Sequence, residues 1–474
     1  MRVLLVSHLF PPDHDAGTER YTAELGQRLL AAGHEVSVFT TTKDIARPDM
    51  SVADRTFEGL VVRELVNNLY YEDFSETWRR PQAERAFADW VDEWRPDVVH
   101  FQHLMYLSAG CLGQAARRGL PILFTLHDFW LECPRFGQLL HADGSLCATV
   151  DFARCGTCLS DFDWRQSPVW RRTGRAIAGL RRRTGLNLGP LARAAGRQLR
   201  RRAGASSSAS QGAPSEGQDL AASFEGQARE RSAELRRAVL EHVDRFISPS
   251  RFLLERLQAW GLPEQSCVHL PTGIELDRFA FTRRVPGKRL RVSFLGTLVP
   301  VKGAHILVEA WAALDAKQRE RAELTLYGPR DHAPEYVARL EREAHCVGVQ
   351  FGGVLDRDGV SRTLANTDLL VVPSTWYENR PLVVLEALAS GTPVLASKPG
   401  GMAELVEEGV TGWCFPMGDA QALCRRLAAI IDEPESLAAL DVASADLPTW
   451  DALAQRTVEL YDEVLRARTA GDAT

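Results

Sequence analysis

The sequence predicts an α/β protein built from two Rossmann-like, doubly wound domains. Its 474 residues exceed the size of one ordinary domain. Short apolar runs alternate with amphipathic segments, as in a series of βαβ units, and the alternation restarts after Pro286. Open α/β sheets bind ligands at the carboxyl ends of their strands. Two such sheets facing each other therefore predict a ligand site in the cleft between them.

The first half of the chain contains five candidate strands. A helix is predicted between the first two strands, over Glu19–Ala32, where an amphipathic segment is closed by Gly33. The strands are mostly apolar runs of five or six residues, at Arg2–Ser7, Glu35–Thr40, Leu60–Leu65, Asp97–Phe101 and Pro121–Leu126.

The second half repeats this pattern and ends in an amphipathic segment, Trp450–Leu465. Its candidate strands are Leu290–Leu295, Leu324–Tyr327, Val349–Gly352, Asp368–Pro373 and Thr392–Ala396.

Two glutamates flank the start of a predicted helix in this second half. Glu378 lies in the loop after the strand Asp368–Pro373, Pro381 suits a first helical turn, and Glu386 falls inside the helix. The free N–H groups near Asn379–Val383 form an anion site. Carboxylates beside a phosphate site suit the hydroxyls of a nucleotide-sugar. The alternative is a plain strand–helix connection in which Glu386 only caps or solvates the helix.

The surrounding motifs closely resemble glycosyltransferase family 4, whose members have the GT-B fold and retain the anomeric configuration of the donor sugar. The resemblance covers about residues 1–160 and 240–465. The matching motifs are Phe10-Pro-Pro, Gly17-Thr-Glu19, Thr125-Leu-His127-Asp128, Ser248-Pro-Ser250, Pro271-Thr-Gly273-Ile274, Phe294-Leu-Gly296 with Lys302-Gly303, Glu378-x7-Glu386 with Ala-Leu-Ala-Ser-Gly-Thr-Pro-Val, Gly400-Gly401 and Gly409-x-x-Gly412.

The resemblance implies that the chain divides into two domains and a C-terminal helix. Residues 1–285 form an acceptor-binding domain and residues 286–449 a nucleotide-sugar-binding domain. Residues 450–474 form a helix that packs back on the first domain, as in the GT-B fold.

The resemblance also implies the roles of individual residues. Lys302 balances the donor pyrophosphate, Glu378 binds donor-sugar hydroxyls, Glu386 binds the ribose, and His127 contacts the donor sugar or supports the acceptor. The implied catalytic residues are His127, Glu378 and Lys302. The implied donor-binding residues are Gly17, Gly296, Thr297, Lys302, Glu378, Asn379, Arg380, Pro381, Leu382 and Glu386.

The chain departs from the family pattern at two positions. Many relatives carry an arginine where this chain has Thr297, and Arg380 is the candidate replacement for that cation. Many relatives also have two glycines where this chain has Ala16-Gly17. His100 and His103 also follow a predicted strand, and we expect structural roles for both.

The family's mechanism is a front-face displacement in which the leaving phosphate helps to deprotonate the acceptor. We therefore expect no enzymatic nucleophile and no catalytic metal, because no Asp-x-Asp motif stands out and lysine with helix N–H groups supplies the positive charge.

Four cysteines lie within 26 residues after His127. Cys133, Cys147, Cys155 and Cys158 end in a Cys-x-x-Cys pair, and their spacing predicts a structural zinc that braces an acceptor-side loop at 133–158. Free thiols or a redox pair are the alternatives that the spacing leaves open.

An insert at 164–227 separates this loop from the rest of the first domain. Every charged residue of 164–203 is an arginine, although the whole chain carries a net charge of −6. The arginines and interleaved apolar residues predict binding to an anionic membrane surface or a phosphate-bearing, lipid-linked acceptor rather than nucleic acid; a solvated face is the alternative. Residues 204–227 read as a flexible linker, and a helix is predicted from Ala228 to His242.

The composition is ordinary for a globular protein, with 45% hydrophobic and 25% charged residues. The first apolar run is too short for a signal peptide, and no run of 18 apolar residues predicts a membrane span. We therefore expect a cytoplasmic protein, and the arginine-rich segment predicts a peripheral position at the inner face of the membrane.

The sequence as a whole predicts a retaining glycosyltransferase. It would move a sugar from a nucleotide-diphosphate donor to a hydroxyl of a glycan or glycolipid, in cell-surface polysaccharide or glycoconjugate biosynthesis. The first alternative is a non-catalytic, nucleotide-binding GT-B scaffold at the membrane surface. A nicotinamide-dependent oxidoreductase is disfavoured, because the first strand is not followed by Gly-x-Gly-x-x-Gly.

Overall fold

The computed structural model describes residues 1–184, 214–285 and 287–471. Its described part divides into two compact units. Unit 1 takes in the described residues of Met1–Pro249, Leu254–Leu270 and Leu453–Thr474; unit 2 takes in those of Ser250–Leu253 and Pro271–Ala452. The segment that follows residue 270 belongs to unit 2, because Ile274 and Phe279 lie in the core of that unit.

Unit 1 is built around an eight-stranded sheet with the strand order β3-β4-β2-β1-β5-β6-β7-β8. Neighbouring strands are parallel, apart from the antiparallel pair β3–β4. The strands are β1 (Arg2–Val6), β2 (Glu35–Thr42), β3 (Val52–Phe57), β4 (Leu60–Val66), β5 (Val98–Phe101), β6 (Ile122–Thr125), β7 (Arg245–Ser248) and β8 (Cys267–His269).

The five strands predicted for the first half are confirmed as β1, β2, β4, β5 and β6. The sequence pattern missed β3, because this edge strand is exposed or half-buried along its whole length and has no apolar run. It also missed β7 and β8.

The helices of unit 1 surround this sheet. They are α1 (Gly17–Ala31), α2 (Pro81–Trp94), α3 (Gly110–Ala116), α4 (Phe152–Ser160), α5 (Pro168–Thr184), α6 (Pro214–His242) and most of α7 (Arg251–Trp260). The last helix of the chain, α15 (Trp450–Gly471), contributes its part from Leu453 onward to the same unit. Within unit 1, the Tyr461 hydroxyl lies 2.7 Å from Nδ1 of His100, and Arg468 pairs with Asp244 at 2.8 Å.

Helix α6 begins earlier than the sequence predicts. The composition of 204–227 predicts a linker, but the helix starts at Pro214 rather than at Ala228. Tertiary packing explains the difference, because Phe224 is buried and packs edge-on against Phe74 with ring centroids 5.7 Å apart. The predicted linker residues 204–213 lie outside the described residues.

Unit 2 is built around a six-stranded, fully parallel sheet with the order β11-β10-β9-β12-β13-β14. The five strands predicted for the second half are confirmed as β9 to β13, and β14 was missed. The strands are β9 (Leu290–Leu295), β10 (Ala322–Tyr327), β11 (Gln350–Gly353), β12 (Leu369–Val372), β13 (Val394–Lys398) and β14 (Gly412–Pro416).

The helices of unit 2 follow the strands in turn, as expected for a doubly wound sheet. They are α8 (Ala304–Ala313), α9 (Ala316–Glu320), α10 (Pro334–Cys346), α11 (Arg357–Ala365), α12 (Leu382–Ala389), α13 (Ala420–Asp432) and α14 (Glu435–Ala438). No helix within the described ranges is long and apolar enough to cross a membrane.

Each sheet has a topological switch point, where the order of the strands reverses. In unit 1, β1 lies between β2 and β5; in unit 2, β9 lies between β10 and β12. Crevices form at the carboxyl ends of the strands at such points, because the connections leave in opposite directions. These two edges are therefore where ligands are expected.

Candidate functional site

The donor-side residues predicted from the sequence gather at the switch point of unit 2. Gly296 and Thr297 follow β9, and Lys302 ends a short 3-10 turn, Pro300–Lys302. Glu378 lies in the loop that follows the neighbouring strand β12. The connections after two adjacent strands thus bring the lysine and the glutamate together.

Glu378 is buried and is held through one of its carboxylate oxygens. Oε1 accepts hydrogen bonds from Lys302 Nζ at 2.7 Å, from Ser374 Oγ at 2.8 Å and from Trp376 Nε1 at 2.8 Å. Oε2 has no hydrogen-bond partner among the contacts of the described residues. The carboxylate is therefore fixed in position while one of its oxygens remains available to a ligand hydroxyl.

The electrostatics of this pair keep the glutamate ionised. Burial alone raises the pKa of the Glu378 carboxyl, but the charge of Lys302 and the three hydrogen bonds outweigh it, and the pKa is lowered below its ordinary value. The Lys302 ammonium also lies 5.2 Å from the centroid of the Trp376 ring. An ionised, hydrogen-bonded carboxylate is the form that accepts sugar hydroxyls.

Glycines allow the backbone segments of this site to approach each other. Gly303 has φ +72°, and a Cβ there would overlap the carbonyl oxygen of Pro373 at the end of β12. A Cβ at Gly401 would overlap the carbonyl oxygen of Asn379, and the Gly401 amide donates to the Glu378 carbonyl at 2.9 Å. These contacts explain why glycine is required beside Lys302 and after β13.

The loop after Glu378 leads into α12, whose first residue is Leu382. Its N-cap residue, Pro381, makes no side-chain cap hydrogen bond, so the N–H groups of the first turn lack the usual cap from that position. The side chain of Asn379 is bonded to the Ser250 hydroxyl at 2.5 Å, which fixes the approach of the chain to the helix. Glu386 lies in the middle of α12 and is half-buried. This helix start has the character of an anion site.

Two further donor-side predictions concern cations. Thr297 directly follows Gly296 and supplies no charge. Burial lowers the pKa of the Arg380 guanidinium, while the nearby carboxylates of Glu404 and Asp446 raise it. Its buried Nε has no hydrogen-bond partner among the described residues. Arg380 is thus a cation of unit 2 that lies two residues after Glu378 in the chain.

A second group of predicted residues lies at the switch point of unit 1. His127 follows β6, and its Nε2 is 2.9 Å from Oε1 of Gln102, which follows β5. Its ring packs edge-on against Tyr21, with centroids 4.7 Å apart. Burial, with smaller effects of His103 and His100, lowers the pKa of His127 to about 3. His127 is therefore a neutral imidazole at neutral pH.

The two histidines expected to be structural are both buried and hydrogen-bonded. His100 contacts the Tyr461 hydroxyl and the Thr125 hydroxyl, each at 2.7 Å. His103 Nδ1 accepts a hydrogen bond from the Met105 amide at 2.9 Å. Its Nε2 lies 3.1 Å from Oδ2 of Asp128 and therefore donates to it. His100 serves packing, whereas His103 belongs to the polar group that contains Asp128.

Sequence reasoning assigned no individual role to three side chains at this edge of unit 1. His8 follows β1, Glu19 lies in the first turn of α1, and Gln102 follows β5. His8 and Gln102 come soon after strand ends, and Glu19 lies at a helix start. These positions could have marked all three as candidate site residues from the sequence. Gly17 begins α1, and a Cβ there would meet nothing within 4 Å, so the packing of the chain itself does not require a glycine at this position.

The structure does not support the predicted zinc site. Cys133, Cys147, Cys155 and Cys158 are all buried free thiols, yet no set of three or more metal-ligating side chains in the described part of the chain is arranged to hold a metal ion. Two thiols have other partners: Cys147 Sγ donates to the Thr149 carbonyl at 3.4 Å, and Cys158 Sγ lies 3.5 Å from His141 Nδ1.

Two guanidinium groups support the cysteine loop instead. Arg256 makes a bidentate pair with Glu132, at 2.6 and 2.9 Å, and donates to the Ala148 carbonyl at 2.9 Å. Arg231 is fully buried, donates to the Trp130 carbonyl at 2.5 Å, and lies 4.7 Å from the centroid of the Trp130 ring. The loop therefore has polar anchors that spacing alone could not reveal.

The described part of the arginine-rich segment includes α5, which is anchored to unit 1. Arg171 pairs with Glu72 at 3.2 Å, and Arg181 lies 3.8 Å from Asp44. These arginines are at least partly satisfied by the protein itself, as expected for a solvated, ion-paired helix face. Residues 185–203 of the segment lie outside the described residues.

Comparison with known families identifies the class of protein. The model of glycosyl transferases group 1 matches residues 277–445, and the model of glycosyltransferase family 4 matches residues 16–187. The first range contains the lysine–glutamate site and the second contains the histidine site. The chain belongs to the group 1, family 4 glycosyltransferases.

Curated relatives resemble parts of the chain. An amylovoran biosynthesis glycosyltransferase of Erwinia amylovora is 30% identical over 37% of this chain and 44% of its own length. A GDP-mannose-dependent alpha-(1-6)-phosphatidylinositol monomannoside mannosyltransferase of Mycolicibacterium smegmatis is 30% identical over 47% of this chain and 63% of its own length. The chain spans about half the length of the curated relatives it matches.

Solved structures show that the fold is GT-B. Sucrose-phosphate synthase from Thermosynechococcus elongatus matches with a TM-score of 0.63 at 21% identity, covering 98% of this chain and 99% of that one. Anabaena Alr3699/HepE in complex with UDP and glucose matches with a TM-score of 0.58 at 15% identity, covering 97% and 99%. The predicted fold class of two Rossmann-like domains is confirmed.

Proposed function

We propose that this protein is a retaining glycosyltransferase that moves a sugar from a nucleotide-diphosphate donor to a hydroxyl of a glycan or glycolipid. The observation that carries the proposal is the Glu378 carboxylate, which is fixed through Oε1 while Oε2 remains available. A buried carboxylate prepared in this way suits the hydroxyls of a donor sugar.

Lys302 and the start of α12 supply the positive charge that a diphosphate needs. The uncapped N–H groups at Leu382 and Val383 favour phosphate oxygens, and Lys302 lies beside the loop that leads there. Arg380 adds a guanidinium with a free Nε. Positive groups placed where the leaving diphosphate gains charge lower the barrier to its departure. We assign the ribose hydroxyls to Glu386, on the family resemblance.

His127 contributes as a neutral group in this proposal. With a pKa near 3 it carries no charge at neutral pH, so it orients a sugar by hydrogen bonding and contact rather than as an acid. In the front-face displacement of the family, the leaving phosphate takes the proton of the acceptor hydroxyl. The new glycosidic bond then forms on the face that the phosphate leaves, which retains the anomeric configuration.

The activities of the relatives support particular donor and acceptor classes. The two curated relatives act in amylovoran biosynthesis and on a phosphatidylinositol monomannoside with GDP-mannose, and the Anabaena structure holds UDP and glucose. We propose a glycan or glycolipid acceptor and a UDP- or GDP-linked sugar donor on this basis. Binding of an anionic membrane surface by the arginine-rich segment stays a prediction, as does a position at the inner face of the membrane.

The proposal is tested with Glu378→Gln, which keeps the shape of the side chain and removes its charge. Charge-assisted hydrogen bonds contribute about 1.5–3 kcal/mol, so we expect sugar transfer to fall by roughly 10- to 100-fold. The measurement is consumption of UDP-, GDP- and ADP-sugars, after a thermal-shift comparison has identified which nucleotide stabilises the protein.

The matched control is Glu335→Gln, at an exposed glutamate of unit 2 that lies in the first turn of α10. Wild-type transfer by Glu378→Gln would contradict the proposal. A wild-type protein that binds a nucleotide but never consumes its sugar would instead favour the non-catalytic scaffold.

A further inference from the structure

The carboxyl edge of the unit 1 sheet carries a group of polar side chains from four elements, all buried except Asp128, which is partly exposed. His8 follows β1, Glu19 lies in α1, His103 follows β5, and Asp128 follows β6. Because β1 and β5 flank the switch point, His8 and His103 stand on its two sides. Their rings are 4.5 Å apart between centroids. We call these four residues and Gln102 the switch-point cluster.

The cluster consists of two acid–histidine pairs. Oε1 of Glu19 lies 3.3 Å from Nε2 of His8, and Oδ2 of Asp128 lies 3.1 Å from Nε2 of His103. His103 uses both ring nitrogens, since Nδ1 accepts from the Met105 amide. His8 uses one ring nitrogen only.

Two buried polar atoms of the cluster have no hydrogen-bond partner among the residues that the structure describes. They are Nδ1 of His8, a residue that is 7% exposed, and Nε2 of Gln102, a residue that is fully buried. Leaving a buried polar atom unsatisfied is costly, so native proteins rarely do so without a ligand or a function. The two atoms belong to the residues that follow the two switch-point strands.

The contact with Glu19 sets the hydrogen-bonding character of His8. A carboxylate only accepts hydrogen bonds, so the nitrogen that faces it, Nε2, carries the proton. Nδ1 of the neutral ring is then an acceptor, ready for a hydroxyl proton. The pKa of His8 lies well below its ordinary value, first because the ring is buried and then because of the nearby bases His103, His127, Lys43 and His14. The ring is therefore neutral.

We propose that the switch-point cluster is a polyol subsite for the acceptor. Nδ1 of His8 accepts a hydrogen bond from one acceptor hydroxyl, and Nε2 of Gln102 donates to a second hydroxyl oxygen. Glu19 and Asp128 are positioning residues that orient the two imidazoles. This subsite rests on the proposed function, and it names the two atoms that would bind the hydroxyls of the acceptor. A sugar or cyclitol ring offers such neighbouring hydroxyls, whereas a simple alkyl alcohol offers one.

The test compares two substitutions at one position. His8→Asn places an amide oxygen near the position of Nδ1 and gives up the contact with Glu19. His8→Gln keeps a polar atom near the position of Nε2 and gives up Nδ1. We expect His8→Gln to raise the acceptor KM by about 3- to 10-fold, the size of one hydrogen bond, and His8→Asn to raise it less. A purely structural role predicts no such difference in KM.

The assay uses myo-inositol, D-glucose and D-mannose as probe acceptors, with the nucleotide-sugar that the wild type consumes. Glycoside product is quantified by mass spectrometry, and each rate is divided by the rate of donor hydrolysis of the same variant. His34→Asn is the matched control, because His34 lies in unit 1 beside the N-terminal amine rather than in the cluster. Thermal unfolding checks that each variant is folded.

The possible outcomes distinguish failure of the polyol subsite from failure of the proposed sugar-transfer activity. An acceptor KM that rises in the order His34→Asn, His8→Asn, His8→Gln supports the subsite. Equal KM values in wild type and both His8 variants, or hydrolysis of the donor with none of the three probes glycosylated, would overturn it. A wild-type protein that consumes no nucleotide-sugar under any condition would overturn the proposed function itself.

Discussion

Glu378 shows at the scale of one residue how the proposed donor site is prepared before a ligand arrives. Three donors from Lys302, Ser374 and Trp376 converge on a single oxygen, which fixes the rotamer of the side chain. Since the carboxylate is already ordered and desolvated, a hydroxyl that binds Oε2 has little ordering left to impose. Affinity for a sugar can then come from few contacts.

The sequence identified the two charged residues of this arrangement but not their neighbours. Lys302 and Glu378 stand in motifs that resemble those of a known family. Ser374 and Trp376 lie in the same stretch, but a loop has no periodicity from which the direction of a side chain follows. Their convergence on Oε1 depends on the contact between Gly303 and Pro373, which spacing does not reveal.

Gly303→Ala is predicted to disturb the lysine position. The residue has φ +72°, which costs an alanine about 1–2 kcal/mol, and its Cβ would also overlap the Pro373 carbonyl oxygen. We expect the turn to shift, Lys302 to leave Glu378, and the stabilisation of the protein by nucleotide to fall. Thermal shift with and without the nucleotide measures both effects.

Gly348→Ala is the control for backbone strain alone. Gly348 has φ +73°, but a Cβ there would meet nothing within 4 Å. The free energy of unfolding of Gly348→Ala should fall by about 1–2 kcal/mol, which is the cost of the backbone strain. Nucleotide binding should stay at the wild-type level. Equal nucleotide binding by the two variants would refute the positional role of Gly303.

At the scale of elements, the cysteine loop depends on helix α6. A Cβ at Gly156 of α4 would overlap the Ala221 carbonyl oxygen of α6, so the two helices touch at backbone distance. From the same helix, Arg231 reaches the carbonyl oxygens of Trp130 and Leu131. Helix α6 thus supports both ends of the loop. Composition predicts a linker over part of α6, because its Ser, Gly, Ala and Gln content says nothing about which partner covers it.

Arg231→Lys is predicted to destabilise the protein strongly despite keeping the charge. A lysine loses the planar stacking on Trp130 and part of the fork that reaches two carbonyl oxygens. Changes that break buried polar arrangements typically cost about 3–5 kcal/mol, and we expect a loss near the lower end. Urea unfolding gives the difference.

Arg229→Lys provides the comparison on the same helix. Arg229 is exposed, pairs with Glu225 one turn away and lies 5.0 Å from the centroid of the Phe152 ring, so its substitution should cost no more than about 1 kcal/mol. If the two variants had similar urea midpoints, the loop would not depend on Arg231.

At the scale of the whole chain, most strands of the two sheets were predictable, but β3, β7, β8 and β14 were not. Buried parallel strands appear as apolar runs, so β1 and β9 to β13 were found. β3 is polar, and β14 begins at Gly412, whose missing Cβ permits contact with the Val394 carbonyl oxygen. Three of the four missed strands, β3, β8 and β14, lie at sheet edges, where exposure weakens that signal. The polar contacts around Glu378 and within the switch-point cluster could not be predicted, because their members come from distant parts of the sequence.

Buried neutral histidines predict that unit 1 is sensitive to acid. Burial lowers the pKa of His100 and of His127 to about 3, whereas an unfolded histidine titrates near 6.5. Between these values the unfolded state binds more protons. Stability is therefore fully present above about pH 6.5 and is lost as the pH falls towards 3, by up to about 1.4 kcal/mol per pH unit for each histidine.

His100→Gln should reduce the pH dependence of the stability by the contribution of one histidine. The measurement is the urea midpoint across this pH range, compared with the wild type. The control is His332→Gln, at an exposed histidine of unit 2. An unchanged slope in His100→Gln would show that His100 does not titrate between the folded and unfolded states in the expected way.

The ion pair between Lys302 and Glu378 has a consequence for the end of the proposed reaction cycle. A nucleoside diphosphate that has lost its sugar would attract Lys302 but offer no hydroxyl to Glu378. A buried carboxylate deprived of its cation is costly, by about 3–5 kcal/mol in comparable cases. The glutamate would therefore compete with the spent diphosphate for the lysine. Such competition favours departure of the product and limits its inhibition of the enzyme.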